Sequence, residues 1–92
     1  MDQDDIKSLY DDKYHKVLGI SFEEYQGSGP QNETEAYARM QEIDDELKAG
    51  YDEWYEAEGE VKDELEEHRD KLKAEYEFIE AAWNLEAPDK GW

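Results

Sequence analysis

Residues 33–86 read ETEAYARMQEIDDELKAGYDEWYEAEGEVKDELEEHRDKLKAEYEFIEAAWNLE, and the fold turns on whether they form one helix or two. Apolar residues recur at intervals of three and four: Tyr37, Met40, Ile43, Leu47, Tyr51, Trp54, then Val61, Leu65, His68, Leu72, Tyr76, Ile79, Trp83. This is the period of an amphipathic helix and excludes strand alternation. No proline interrupts the run between Pro30 and Pro88. Unbroken, the helix would be about 80 Å long at a rise of ~1.5 Å per residue. Met40, Leu47, Trp54, Val61 and His68 do keep a seven-residue step, as in a coiled coil. The companion seam of Ile43, Gly50, Ala57 and Glu64 decays into glycine and acid. Gly50 and Gly59 each cost roughly 1 kcal/mol relative to alanine inside a helix. Gly59 lies in Ala57-Glu58-Gly59-Glu60, where the stripe lapses. The pattern therefore predicts helices over 34–57 and 60–86, folded back as an αα-hairpin. Gly50, preceded by Lys48, is the competing stop. A continuous helix in a parallel or antiparallel homodimer is the competing arrangement.

Upstream, Asp2 to Leu18 reads as a first helix with Ile6, Leu9, Tyr10, Tyr14, Val17 and Leu18 on one face. Asp2, Asp4 and Asp5 suit its N-terminus, and Gly19 is a fitting residue just past its end. Ser21-Phe22-Glu23-Glu24 has the spacing of a capping box, predicting a turn through Tyr25. Residues 26–32, Gln-Gly-Ser-Gly-Pro-Gln-Asn, read as the loop, and Asn32 or Thr34 as the N-cap of the long acidic helix. Ala87-Pro88 should end the last helix, because the residue before proline resists helical dihedrals. The terminal Trp92 is expected to pack back on the core. The expected fold is all-α: a long acidic hairpin braced by a shorter N-terminal helix in a small three-helix bundle.

Ninety-two residues suit one domain with one modest core. No cysteine is present, which excludes a disulfide frame and a thiolate metal site and fits a cytoplasmic setting. No apolar run approaches the ~20 residues of a membrane span, and the acidic Met1-Asp2-Gln3-Asp4-Asp5 is the reverse of a signal peptide. The formal net charge is −18. It would repel nucleic acid and anionic membrane alike, leaving basic proteins as natural partners. Three Trp, seven Tyr and two Phe argue against the disorder that such acidity can signal.

Tyr14-His15-Lys16-Val17-Leu18-Gly19-Ile20-Ser21 resembles the opening of a J-domain. The likeness stops there: the His-Pro-Asp turn that such domains present to their chaperone is absent, as is their basic second helix. The fragment therefore implies neither that fold nor that partner.

Residue chemistry points away from catalysis. Asp12 stands three before His15, but Leu65 occupies the matching position before His68, so paired Glu-x-x-His ligands are missing. No calcium loop or glycine-rich phosphate loop occurs, and neither cofactor nor metal is expected. Carboxylates on exposed helix faces lack the burial that tunes general acids and bases, so no enzyme is expected.

The acid itself is the remaining signal. Residues 33–86 hold 20 Asp and Glu against six Lys and Arg, a net charge of −14. On two helices each roughly 40 Å long, the carboxylates alone come to one per ~2 Å of hairpin, against one per ~1.7 Å of axis in duplex DNA. Solubility asks for a net charge of only about 2–8. Adaptation to high salt would explain the excess, but eight Lys against two Arg is unlike salt-adapted chains. The favoured expectation is a non-enzymatic nucleic-acid mimic that occupies the basic groove of a nucleic-acid-binding protein. In general character it resembles the small acidic proteins that phages deploy against restriction or CRISPR enzymes, with no shared motif. Candidate phosphate-mimicking residues are Asp44, Asp45, Glu46, Asp52, Glu53, Glu56, Glu58, Glu60, Asp63, Glu64, Glu66, Glu67 and Asp70. Tyr51, Trp54 and Tyr55 are candidate aromatic anchors. The alternatives are a dedicated binder of one basic protein, such as an immunity-type nuclease inhibitor or small acidic chaperone, and a helical scaffold.

Overall fold

The computed structural model describes residues 3–85, and every regular element among them is helical. Asp2 and the tail 87–92, including the expected stop at Pro88 and the expected packing of Trp92, lie outside the described residues. The chain enters through α1 (Gln3–Leu9), a π-helical turn (Tyr10–Tyr14) and α2 (His15–Leu18). It continues through α3 (Phe22–Ser28), α4 (Glu33–Ala49), α5 (Tyr51–Glu56) and α6 (Gly59–Trp83).

The local stops follow from residue chemistry. Gly19 takes a left-handed φ of +76° and closes α2 through its N–H to His15 O. Ser21 caps α3 by accepting the Glu24 N–H at 3.2 Å. Helix α3 then runs on to Ser28, past the turn expected to end at Tyr25, because the Ser28 hydroxyl donates back to Glu24 O at 2.9 Å. Asn32 caps α4 by accepting the Glu35 N–H at 2.9 Å, while the Glu35 carboxylate accepts the Gln31 N–H at 2.7 Å. The Asn32 side chain thus satisfies an orphan donor of the first turn, and Glu35 reaches back one residue beyond the cap to hold the incoming chain at Gln31.

Both candidate glycines mark interruptions. At Gly50 the backbone relaxes to φ −89°, ψ 0°, yet the bonds Gly50 N–H to Glu46 O and Trp54 N–H to Gly50 O carry the helical direction through. At Ala57 and Glu58 the chain becomes fully extended, and Gly59 opens α6 at φ +63°. The reversal therefore falls at 57–59, and the hairpin's first arm is α4 followed by the short α5. Helix α6 ends at Trp83 instead of 86, where Asn84 adopts left-handed dihedrals and donates its N–H to Glu80 O.

Helix α4 runs antiparallel to α6. The cross-links show it, because Arg39 reaches Glu75, Glu46 reaches His68 and Leu47 O accepts from Arg69, so rising positions on α4 meet falling ones on α6. Between the two helices Ala36, Met40, Ile43, Leu47, Leu72, Tyr76 and Ile79 are buried, with Trp83 and Leu85 packed alongside. A second cluster joins Tyr10, Tyr14, Phe22, Tyr25 and Phe78, backed by Ile6, Leu9, Leu18, Ile20, Ala74 and Ala82. Phe78 is its hub, with Tyr10, Tyr14 and Tyr25 set against its ring at centroid distances of 5.2–5.4 Å in edge-to-face contact. The second half of α6 is thus apolar on two sides, one facing α4 and one facing the N-terminal helices. Bidentate Arg39–Glu75 contacts of 2.6 and 2.9 Å, with the Tyr25 hydroxyl donating to Glu75 at 3.4 Å, tie α3, α4 and α6 together.

The π turn explains one displaced residue. Val17 was expected on the inner face but is exposed, while Leu18 packs inward. A wider π turn carries one extra residue, so the buried face resumes four positions after Tyr14 instead of three.

Candidate partner-binding surface

The molecule measures 42 × 25 × 18 Å, and the 25-residue α6 covers most of its length at about 37 Å. Both apolar clusters lie toward one end. At the other, α5 has no buried residue, and Arg69 is the first buried residue of α6. Residues 51–68 therefore form an arm with little apolar burial, flanked at Asp63, Glu66 and Glu67 by Lys16, Val17 and Gly19 from the end of α2. The reason is length: a six-residue helix offers too few side chains to cover the facing turns of α6. The expected stripe is accordingly open here, with Val61 and Tyr51 exposed and His68 at the surface.

What holds the arm is cation–ring packing. Trp54 is half-buried, with Lys62 Nζ 5.2 Å and Arg69 Cζ 5.3 Å from its ring centre. Arg69 also lies 5.7 Å from the Tyr51 ring and donates to Leu47 O at 2.8 Å, which lets a guanidinium be buried at the arm's root. Each such contact is worth about 0.5–2 kcal/mol, depending on how dry it is. The indole Nε1 is closed off from solvent with no hydrogen-bond partner among the described residues. Trp54 is thus the small core of the arm, which corrects its assignment as a surface anchor.

Between Tyr51 and Asp70 the chain holds ten carboxylates and two cations, a net charge of −8. The two cations are Lys62 and Arg69, both turned onto Trp54. The carboxylates Asp52, Glu53, Glu56, Glu58, Glu60, Asp63, Glu64, Glu66, Glu67 and Asp70 are all exposed. None of them has a Lys or Arg nitrogen within ion-pair distance among the described residues. At the root, Asp45 accepts from Gln41 Nε2 at 2.9 Å, and Glu46 lies 2.9 Å from His68 Nε2; both remain exposed.

Asp44 leaves the candidate set. It is 5% exposed and its carboxylate holds Lys48 Nζ at 2.9 Å, because position 44 falls on the face of α4 that meets α6. Spacing alone could not separate it from Asp45. Nor could it reveal that Lys62 and Arg69 fold inward, since Trp54 and Arg69 are fifteen positions apart and meet only through the reversal at 57–59.

Tyr51 and Tyr55 remain at the surface, 41% and 68% exposed, one helical turn apart on α5. Their rings are nearly parallel, 16° between planes with centroids 6.2 Å apart. The histidines stand elsewhere in chemistry: His68 pairs with Glu46, and His15 lies 6.3 Å from the Tyr10 ring. Among the described residues no helix is long and apolar enough to cross a membrane. No protein-family model, curated protein or solved structure matches the chain.

Proposed function

We propose that this chain is a non-enzymatic inhibitor that imitates nucleic-acid phosphate and occupies the basic groove of a nucleic-acid-binding protein, a role of the anti-restriction or anti-CRISPR type. The observation that supports it is the sorting of charge along the arm, with cations folded onto Trp54 and carboxylates left to solvent. Along α6 from Gly59 to Asp70, six carboxylates fall within about 18 Å, one per ~3 Å of axis. One strand of duplex DNA carries a phosphate every ~3.4 Å. A basic groove shaped for one such line of charge would meet the other with many ion pairs formed at once.

The test is competition. The immobilised chain should retain basic proteins from a lysate at about 50 mM NaCl, lose them steeply as salt rises, and surrender them to added duplex DNA. Retention that DNA cannot displace would overturn mimicry. It would favour the second reading, a dedicated binder of one basic protein, which the exposed Tyr51 and Tyr55 support as aromatic anchors of the kind that dominate specific interfaces.

A further inference from the structure

We infer that the Tyr51–Tyr55 face of the arm reads arginine: the basic partner is engaged through guanidinium groups that stack on Tyr55 and fork onto Asp52 and Glu56. The inference rests on the reading of a basic partner and names the side chain by which that partner is held. Three observations carry it. The Tyr55 ring is two-thirds exposed and, among the described residues, no cation lies over it, whereas the neighbouring Tyr51 and Trp54 rings already take Arg69. The Tyr51 and Tyr55 rings lie nearly parallel, which presents a flat aromatic platform to the side open to solvent. Asp52 lies three positions before Tyr55 and four before Glu56, spacings that set it beside each of them on the helix surface, and neither carboxylate is engaged by a Lys or Arg among the described residues.

Arginine satisfies this arrangement and lysine does not. The guanidinium is planar, weakly hydrated and able to lie on an aromatic face while its edge donates two parallel hydrogen bonds to a carboxylate. An ammonium is a strongly hydrated point charge with no planar face to lay on the ring, so at an exposed tyrosine it gains less from the ring than a guanidinium does. Charge alone would treat the two alike. A ring face beside a carboxylate pair is what separates them.

The test compares an amidated nine-residue arginine peptide with the matching lysine peptide, each titrated into the full chain by calorimetry at about 50 mM NaCl. The arginine peptide should bind more tightly by roughly three- to tenfold, the contribution of a cation–ring contact at a partly exposed site. Tyr55→Leu should remove that preference while leaving the lysine peptide within about twofold of its original affinity. Tyr55→Phe, which keeps the ring, should retain the preference and shows that a loss in the leucine variant comes from the aromatic face. Equal affinity for the two peptides, or equal losses from Tyr55→Leu, overturns the arginine inference and leaves charge-driven binding standing. Failure of both peptides to bind overturns the basic-partner reading itself.

Discussion

Gly29 and Gly27, two residues apart in the same Gln26–Asn32 segment, face opposite consequences from one added carbon. A Cβ at Gly29 would lie 2.7 Å from Tyr25 O and 3.2 Å from the Tyr25 ring, where the backbone oxygen cannot move aside. A Cβ at Gly27 would meet nothing within 4 Å. Gly29→Ala is therefore expected to destabilise by about 1–3 kcal/mol, and Gly27→Ala, inside α3, to stabilise by about 0.4–1 kcal/mol. Urea denaturation of both variants decides it, and equal effects would show that the close approach at Gly29 is unimportant. Four tyrosines carry a second prediction at this scale. Burial, reinforced by nearby carboxylates, raises the hydroxyl pKa of Tyr10, Tyr14, Tyr25 and Tyr76 above the ordinary value of 10.0; for Tyr25 the main carboxylate is Glu75. The folded chain then holds protons that the unfolded chain releases, so their stabilisation is complete below pH 10 and is lost as pH climbs above it. Helical circular dichroism should collapse in that alkaline window, together with a step in tyrosinate absorbance. Complete tyrosine titration with the helix intact would contradict their burial.

Among the elements, α5 and the first turns of α6 differ in kind from the rest. A six-residue helix has no independent stability, and the arm it builds is held by Trp54, Lys62 and Arg69 with scant apolar burial. Amides of 51–66 should therefore exchange hydrogen faster, by local opening, than those of Leu72 to Ile79, which sit between both clusters. Uniform protection along α6 would mean that the arm is as well held as the core. The same exposure makes charge reversal informative. Converting Asp63, Glu64, Glu66 and Glu67 to lysine should abolish capture of the basic partner without unfolding the chain, because all four point into solvent. Reversing Asp4, Asp5, Asp11 and Asp12 on the N-terminal helices should cost far less binding. Equal losses in a pull-down would reduce the surface to bulk charge.

At the scale of the whole molecule, a net charge of −18 on 92 residues loads the folded state with self-repulsion. Ten Lys and Arg stand against 28 Asp and Glu, so pairs such as Lys7–Glu23, Arg39–Glu75 and Lys48–Asp44 offset only part of it. Repulsion between exposed charges is screened over about 10 Å at 0.1 M salt. Melting temperature at neutral pH should therefore rise with a few hundred millimolar NaCl. A steady fall would mean that attractive pairs dominate, and a surface held by internal pairs would have little reason to seek a basic partner.

Local chemistry was legible in the chain itself. The period of three and four marks the helices, Gly19, Ser21 and Asn32 mark their ends, and the lapse at 57–59 marks the reversal, because each depends on neighbours within one turn. What the sequence left open depends on partners far along the chain. Phe78 was not distinguished from the polar face of α6 until the N-terminal helices supplied Tyr10, Tyr14 and Tyr25 to surround it. Asp44 and Asp45 are adjacent and chemically equivalent, yet only the register of α4 against α6 buries one and exposes the other. The composition determined that this protein would be intensely acidic. Only the tertiary structure decided that its arm would turn Lys62 and Arg69 onto an indole and leave the carboxylates outward, since opposite charges sort to different faces only once a second helix gives one of them somewhere to go.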